Sequence, residues 1–460
     1  MYHGQWYRRL WPLEKRGHTR PQQQKEITTM TTEHGISRRT MLAASAAALV
    51  APAIIGKAEL EDDPVRVGLI GGGTRGIDIA RYLGAFRGAH MAAVCDVYTP
   101  HIERCIEAGG NPDAARYRDY HQLLDDPNVE AVVIATPDHW HAQMVIDAAD
   151  AGKAVFCEKP LSKTMDEAKR MRDAVRRNNT VFQLGHQGRQ HPATAEAGRL
   201  ILDENRIGHV TYIKTGRFFN GTMEQAPWRW YGYYSVWERP DPNEVLDELD
   251  WEAWLGPAPS IDFNERHFWH WRCYWNYGNG QSGDLLSHEL DHVQTVLGWG
   301  IPDTCTCAGH IAYYHDDREV PDTWLANYWF DDHDCAVSFE GIMNSNRDQP
   351  PEYIGRDGRL IFNAIGQDAS TFHIYGDHPA YPHMGRYSEP EEAYDRQAGP
   401  RWPNHMEDFL QCVRTGETPK CNIDEAFIGA ASMRMSVESY FQKRTVHWNR
   451  ATEEIEVDEA

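Results

Sequence analysis

From Val65 to about Gln187 the chain alternates short apolar runs with helix-spaced apolar stripes. Val65-Arg66-Val67-Gly68-Leu69-Ile70 has the composition of a buried strand, and Ile77, Ala80 and Leu83 follow at helical spacing. Met91–Cys95 is a second apolar run. Val129–Ala135 is nearly all apolar, which suits a central parallel strand covered on both faces. Ala154–Cys157 and Val181–Leu184 read as two further strands. Between them Thr164 and Glu167 form a capping box for a helix whose buried stripe is Ala168, Met171 and Val175. Strands and helices in strict alternation predict a doubly wound parallel sheet of the α/β class over residues 64–187.

Beyond Gly188 the period changes. A short helix over 192–204 gives way to β-rich runs at Val210–Phe219, Asp322–Phe330 and Cys335–Glu340. Separate strands after an alternating half predict a second, α+β domain on a mostly antiparallel sheet, spanning 188–448. Within it, Trp228–Tyr277 holds eight tryptophans among many Pro and Gly residues and reads as long structured loops over a site. Asn404 is placed to cap a helix with Met406, Phe409, Leu410 and Val413 on one face, stopped by Gly416. Phe427, Ala431 and Met435 mark another. These helices, 404–442, are expected to pack back towards the first domain.

The loops carry the candidate chemistry. The first strand runs directly into Gly71-Gly72-Gly73-Thr74-Arg75-Gly76, which satisfies G-x-G-x-x-G through Gly71, Gly73 and Gly76. Such glycines allow a tight turn and let backbone N–H groups approach a pyrophosphate, whose charge the helix N-terminus favours. The second strand closes on Asp96, twenty positions past Gly76. An acid there accepts bonds from a ribose 2′-hydroxyl and repels a 2′-phosphate, so NAD is expected in preference to NADP. A glycine-rich turn alone is a weak signal. Strand, glycines, helix, strand and acid in one βαβ-sized span are a strong one.

Three further groups stand out. Thr136-Pro137-Asp138-His139-Trp140-His141 lies at the carboxyl end of the third apolar run, where such sheets bind ligands. Glu158-Lys159-Pro160 ends the next strand; Lys159 there can donate to a substrate oxygen, with Glu158 fixing its ammonium, or it is a surface lysine paired with its neighbour. In Gly283–His292, Asp284 and His288 are four apart, and Asp291 shares the face if the segment is helical. A carboxylate one turn from a histidine can orient the imidazole for proton transfer. A surface salt bridge is the bland alternative. The spacing of Asp284, His288 and His292 also permits a metal, but H-E-x-x-H is absent and no metal is expected. The tryptophans, with Gly185-His186-Gln187-Gly188-Arg189, offer aromatic faces beside polar donors, a combination suited to a sugar ring; most single tryptophans are expected to be core.

A formal charge of −22 argues against a nucleic-acid surface and against a polybasic membrane patch. The first thirty or so residues are polar and aperiodic, so no packed structure is expected there. Arg38-Arg39 before the Ala-rich run to Ile55, with small residues at Ala51-Pro52-Ala53, reads as a twin-arginine export signal, and makes Met30 a candidate initiator. The alternative is an amphipathic helix with two chance arginines. The export reading, over residues 1–60, implies a partnership with the twin-arginine translocase, a periplasmic or extracellular destination and no stable membrane insertion after signal removal. The nine cysteines are odd in number and form no C-x-x-C pair, unlike a disulfide framework or a zinc ribbon.

Taken together, G-G-G-T-R-G, T-P-D-H-W-H, C-E-K-P-L-S, G-H-Q-G-R-Q-H-P and G-D-L-L-S-H-E-L-D resemble the Gfo/Idh/MocA oxidoreductases over residues 64 to 448. W-L-G-P-A-P (Trp254–Pro259) and N-H-M-E-D-F-L-Q-C-V-R (Asn404–Arg414) are similar to the secreted, twin-arginine branch, although Leu285-Leu286 stands where many of its members have Trp-Gly. The resemblance implies an N-terminal Rossmann domain and a C-terminal domain whose large open sheet often mediates homo-oligomers. It aligns Lys159 with the E-K-P lysine, and Asp284 and His288 with the D-x-x-x-H pair. The expected catalytic set is Lys159, Asp284 and His288. Cofactor contacts are expected from Gly71, Gly73, Thr74, Arg75, Gly76, Asp96, Thr136, Pro137, His139, His141, Glu158, Lys159 and Gln187, and substrate contacts from His186, Arg189 and Asp291. The leading expectation is an NAD-dependent oxidoreductase of a sugar or sugar derivative, with a tightly bound, internally recycled cofactor. The alternatives are a redox-neutral glycosidase working by transient oxidation and elimination, and a non-catalytic sugar-binding protein on the same scaffold.

Overall fold

The computed structural model describes residues 63–222, 242–347, 349–363, 370–377, 390–394 and 401–458. The polar N-terminus, the twin-arginine segment and the part of the tryptophan-rich stretch from Trp228 to Asp241 lie outside the described residues.

Six parallel strands form the first sheet: β1 (Val65–Ile70), β2 (Ala89–Cys95), β3 (Ala115–Tyr117), β4 (Ala131–Ile134), β5 (Ala154–Cys157) and β6 (Phe182–Leu184). Their order is β3-β2-β1-β4-β5-β6, the order of the dinucleotide-binding Rossmann fold. Every residue of β4 is buried, as its unbroken apolar run requires of a strand sandwiched between helices. The longer helices of this half are α1 (Thr74–Ala85), α2 (Thr99–Gly109), α3 (His141–Asp150) and α4 (Met165–Asn178). The capping box at α4 forms in full: the Thr164 hydroxyl accepts from the Glu167 amide, and the Glu167 carboxylate accepts from the Thr164 amide.

The second sheet has ten strands in the order β14-β13-β12-β11-β7-β10-β9-β8-β15-β16. In sequence they are β7 (Val210–Phe218), β8 (Thr304–His310), β9 (Thr323–Phe330), β10 (Cys335–Ile342), β11 (Glu352–Gly355), β12 (Gly358–Phe362), β13 (Phe372–Gly376), β14 (Glu392–Tyr394), β15 (Val446–Asn449) and β16 (Glu454–Val457). Among their registered pairs only β7 and β10 run parallel, so the sheet is mixed and mostly antiparallel. Alternation on β9 sends Trp324, Ala326 and Tyr328 inward and leaves Leu325 and Trp329 partly exposed. Helices α5 (Ser287–Leu297) and α7 (Ile423–Gln442) pack together, and α7 also packs on β8, β6 and α4. One apolar core thus runs from a face of the first sheet into the second.

Helix α6 (Arg401–Thr415) belongs to the first sheet's other face, where Met406, Phe409 and Leu410 join Val67, Leu69 and Phe156. Asn404 does not cap it. The helix starts at Arg401, because a first-turn N–H has no intrahelical acceptor and the Pro at 403 therefore costs no bond. The His405 ring Nε2 donates to the Leu184 carbonyl (2.8 Å), and Gln183 Nε2 donates to the His405 carbonyl (2.6 Å), tying α6 to β6. Among the described residues no helix is long and apolar enough to cross a membrane.

Candidate active site

The glycine turn is shaped by what surrounds it. Gly71 has φ +94°, and a Cβ there would lie 2.7 Å from the Ala135 carbonyl carbon; a side chain is excluded twice over. At Gly76 a Cβ would lie 2.1 Å from the Gly71 oxygen, so this glycine lets α1 close onto the turn. Gly73 differs. It N-caps α1, no side chain caps the helix, and a Cβ on it would meet no atom within 4 Å. The turn therefore presents a helix N-terminus to open space, the arrangement that receives phosphate.

That space is part of a cavity of about 1020 Å³, at the upper end of ordinary ligand pockets. Gly71, Gly73, Thr74, Arg75, Asp96, Thr136, Pro137, Glu158, Lys159, Gln187, Asp284 and His288 all line it. The Asp96 carboxylate accepts from the Gly72 amide (2.6 Å) and the Tyr98 amide (2.9 Å), with His101 Nδ1 at 3.1 Å. Burial alone would raise its pKa, but His101 and the two amides outweigh burial and hold it below the usual carboxylate range. The acid is thus ionised and fixed by the very turn it follows. A set of a free helix N-terminus, an uncrowded second glycine and a fixed anion on a neighbouring strand end fits an adenine dinucleotide.

Glu158 was expected to hold the Lys159 ammonium; it pairs instead with Arg75 (2.6 Å), bridging the glycine turn and the end of β5. Lys159 turns the other way. Its Nζ donates to Asp284 Oδ1 at 2.6 Å and to the Asp284 carbonyl at 3.1 Å, and Arg272 Nε donates to the same Oδ1 at 3.2 Å. Burial raises the Asp284 pKa, yet the two cations prevail and keep the carboxyl far below its ordinary value. Asp284 therefore stands as a carboxylate between two cations. Local backbone contributes to this: Ser282–Leu286 forms one π-helical turn that passes into α5 at Ser287, a feature common at functional sites. His288, almost fully buried, also faces the cavity, its ring edge-on to His186 at 5.4 Å.

Several expected contacts lie elsewhere. His139 does not line the cavity; its Nε2 donates to the Trp254 carbonyl (3.0 Å) and it packs against Trp254 and Tyr277. His141 sets its ring nitrogens on the Pro160 (2.7 Å) and Thr136 (3.1 Å) carbonyls, bracing the two strand-end loops together. Gly76 acts through close packing. His186, Arg189 and Asp291 meet one another, with Arg189 Nε donating to Asp291 Oδ1 at 2.7 Å and His186 Nδ1 lying 3.2 Å from the same oxygen, but form a buried cluster behind His288 and not a wall of the cavity. His186 and Arg189 of the G-H-Q-G-R loop and Asp291 of α5 were expected to meet a substrate; burial and mutual charge pairing make them a support. His186, Asp291 and Cys421 bring ligand atoms within 4.8 Å of one another, yet Arg189 already neutralises that carboxylate. His292 is buried against Tyr353 and Phe362, away from Asp284 and His288 as a shared ligand set.

Arg217 and Arg272 also line the cavity and were not singled out in the sequence, and Asp138, in the T-P-D-H-W-H loop, was given no role of its own. Burial raises the Asp138 pKa above the ordinary carboxyl value, against the opposing pull of His141, Arg272 and Lys159. The nine thiols are free, and all but half-buried Cys307 are buried.

A six-strand dinucleotide fold whose strand-end loops share a cavity with a Lys–Asp pair and a histidine defines a Rossmann-type oxidoreductase scaffold. The chain belongs to the Gfo/Idh/MocA family: the model of its oxidoreductase NAD-binding Rossmann fold matches residues 65–186, and that of its C-terminal alpha/beta domain matches residues 221–460. It is similar to levoglucosan dehydrogenase of Pseudarthrobacter phenanthrenivorans, 30% identical over 248 residues and 51% of each chain. It is also similar to glycosyl hydrolase family 109 protein 1 of Shewanella, 29% identical over 196 residues, 40% of this chain and 43% of that one. The chain thus spans about half the length of the curated relatives it matches. Among solved structures, the aldose-aldose oxidoreductase of Caulobacter crescentus shares the fold with a TM-score of 0.62 at 19% identity, covering 84% of this chain and 99% of that one.

Proposed function

We propose that this protein is an NAD-dependent oxidoreductase of a sugar or sugar derivative that keeps its nucleotide bound and recycles it in the site. One observation carries the reading: Lys159, Asp284 and His288 line the same cavity as the glycine turn and Asp96. Gly73, Thr74 and Arg75 would hold the pyrophosphate and Asp96 the ribose, and a bound nicotinamide would accept the carbon-bound hydrogen as hydride. The Lys159 ammonium, held by Asp284, donates from Nζ to the reacting oxygen. A ring nitrogen of His288 takes the hydroxyl proton, and the packed His186 ring limits its motion. Trp269 and Trp271 on the wall restrict water. Asp96 favours NAD over NADP by repelling a 2′-phosphate. Export by the twin-arginine route, a periplasmic or extracellular location and homo-oligomers built on the second sheet complete the proposal.

The test uses the purified protein with its bound nucleotide and a panel of sugars, following the near-ultraviolet absorbance of reduced nicotinamide. Lys159→Ala is expected to lower turnover by roughly 100- to 1000-fold, the usual loss of one transition-state donor, while nucleotide stays bound. Near-normal turnover in that variant refutes the assignment. The similarity to a glycosyl hydrolase family 109 protein supports a second reading, a redox-neutral glycosidase in which oxidation is transient. Release of aglycone from a chromogenic glycoside without added cofactor or net redox change favours it.

A further inference from the structure

Asp138 follows β4, in the loop that opens with Thr136 and Pro137, and is only 6% exposed. It lines the cavity together with Lys159, Asp284, Trp271 and Arg272. The two acids of this group are met differently. Asp284 takes the Lys159 ammonium at 2.6 Å and Arg272 Nε at 3.2 Å. Among the described residues no hydrogen-bond donor meets the Asp138 carboxyl, and neither of its oxygens is sealed in protein, so it opens onto the cavity. Burial holds its pKa above the ordinary carboxyl value although His141, Arg272 and Lys159 pull it down, as befits an acid that accepts no bond from the protein.

The surroundings narrow what would meet it. A Cβ on Gly278 would lie 3.2 Å from the Trp271 ring and 3.4 Å from Asp138 Oδ2, so ring and acid border one small space. Arg272 lies over the same indole, its Cζ 4.1 Å from the ring centre. A ligand ammonium would enter a space where Lys159 and Arg272 already act on the acid, and like charges repel strongly in a poorly hydrated site. A hydroxyl brings a donor without a charge. An aromatic ring beside an acceptor also suits a sugar, whose C–H face and hydroxyl edge each find a partner. With Lys159 and His288 on the reacting hydroxyl, we infer that Asp138 is a specificity-determining residue whose carboxyl accepts from a second hydroxyl of the same sugar, so that the site rejects the analogue deoxygenated there. The inference rests on the proposed sugar site but is separable from it, because it concerns binding and not hydride transfer.

The experiment titrates the full-length protein, with its bound nucleotide, by calorimetry against a panel of aldohexoses and inositols, each beside its monodeoxy analogues. For at least one sugar, loss of one hydroxyl is expected to weaken binding about 10- to 100-fold, the usual range for a hydrogen bond to a charged group. That gap should close in Asp138→Ala and persist in Lys159→Ala, and Asp138→Asn, which keeps one acceptor oxygen, should leave an intermediate gap. Because the carboxyl accepts no bond from the protein, Asp138→Asn should melt no lower than the parent and should keep its nucleotide. A panel without such a gap, a gap that survives in Asp138→Ala, or an Asp138→Asn protein that melts lower or sheds its nucleotide overturns the inference. An Asp138-dependent gap without any reduced-nicotinamide signal would sink the oxidoreductase reading alone. Oxidation of sugars without an Asp138-dependent gap would sink this inference alone.

Discussion

Alanine replacements at Gly73 and Gly76 should have opposite consequences, and the contrast tests whether a pyrophosphate crosses the turn. Gly73 has φ −67° and ψ −166°, open to any residue, and a Cβ on it would meet no atom within 4 Å. Gly73→Ala therefore costs the fold only what separates alanine from glycine at an N-cap, under about 1 kcal/mol. The added methyl enters the cavity that Gly73 lines, where the phosphate oxygens would approach the first amides of α1. Each charge-assisted bond lost there is worth about 1.5–3 kcal/mol, so NAD affinity should fall roughly 10- to 100-fold. In Gly76→Ala the methyl would sit 2.1 Å from the Gly71 carbonyl oxygen and 3.9 Å from Cys105 Sγ. Backbone must move, at an overpacking cost of about 1–3 kcal/mol, seen as a thermal midpoint lowered by a few degrees. The assay strips the nucleotide, then pairs calorimetric titration of NAD with thermal unfolding of each variant. A Gly73→Ala protein that binds NAD like the parent would refute the reasoning, since the space before α1 would then hold no phosphate.

Acid should destabilise the protein before most carboxylates titrate. Burial, the largest cause in each case, lowers the pKa of His139 and His292 to about 3 and of His405 to about 4. Their stabilising effect is therefore complete above the unfolded value near 6.5 and is lost as pH falls towards 4, at about 1.4 kcal/mol per pH unit for each, or about 4 for the three. Urea midpoints measured from pH 7 to 5 should show that slope, and His292→Gln should flatten it by about a third; a level profile would contradict neutral burial. Asp291 loses its contribution in the same direction but at lower pH. Burial raises its pKa, but Arg189 and then His186 bring it to about 2, so its contribution persists at neutral pH and is lost only as pH falls from about 4 to 2. Arg189→Gln leaves a buried carboxyl without its guanidinium and should cost about 3–5 kcal/mol at pH 7 in denaturant unfolding; an unchanged midpoint would show that the pair contributes nothing.

Much of the fold was legible because it rests on local signals. The all-apolar β4 run, the Thr164–Glu167 capping box and the G-x-G-x-x-G turn each fix their own structure within a few residues, and each is found as read. The start of α6 was misplaced because proline in a first turn is tolerated and so gives no stop signal. The cavity lining was less legible. Which carboxylate meets which cation depends on residues far apart in sequence: Glu158 pairs with Arg75, 83 positions away, and Lys159 with Asp284, 125 away. A neighbour-based reading pairs Glu158 with Lys159 because adjacency is all it has. The π turn at Ser282–Leu286 is likewise silent, since five ordinary residues in a helical context carry no mark of the wider turn.

One missed residue did leave a trace. In V-T-Y-I-K-T-G-R-F, period-two alternation puts Arg217 on the face of Ile213 and Thr215, the face a strand buries. A charge at such a position must be paired or must serve a ligand, because an isolated buried guanidinium is too costly to keep. His139, His186 and Arg189 failed in the opposite direction: their types suggested chemistry, but their side chains are enclosed by protein and none lines the cavity. Polar type alone therefore separates poorly between a contact and a brace. What separates them is access: Arg217 lines the cavity, and His139, His186 and Arg189 do not.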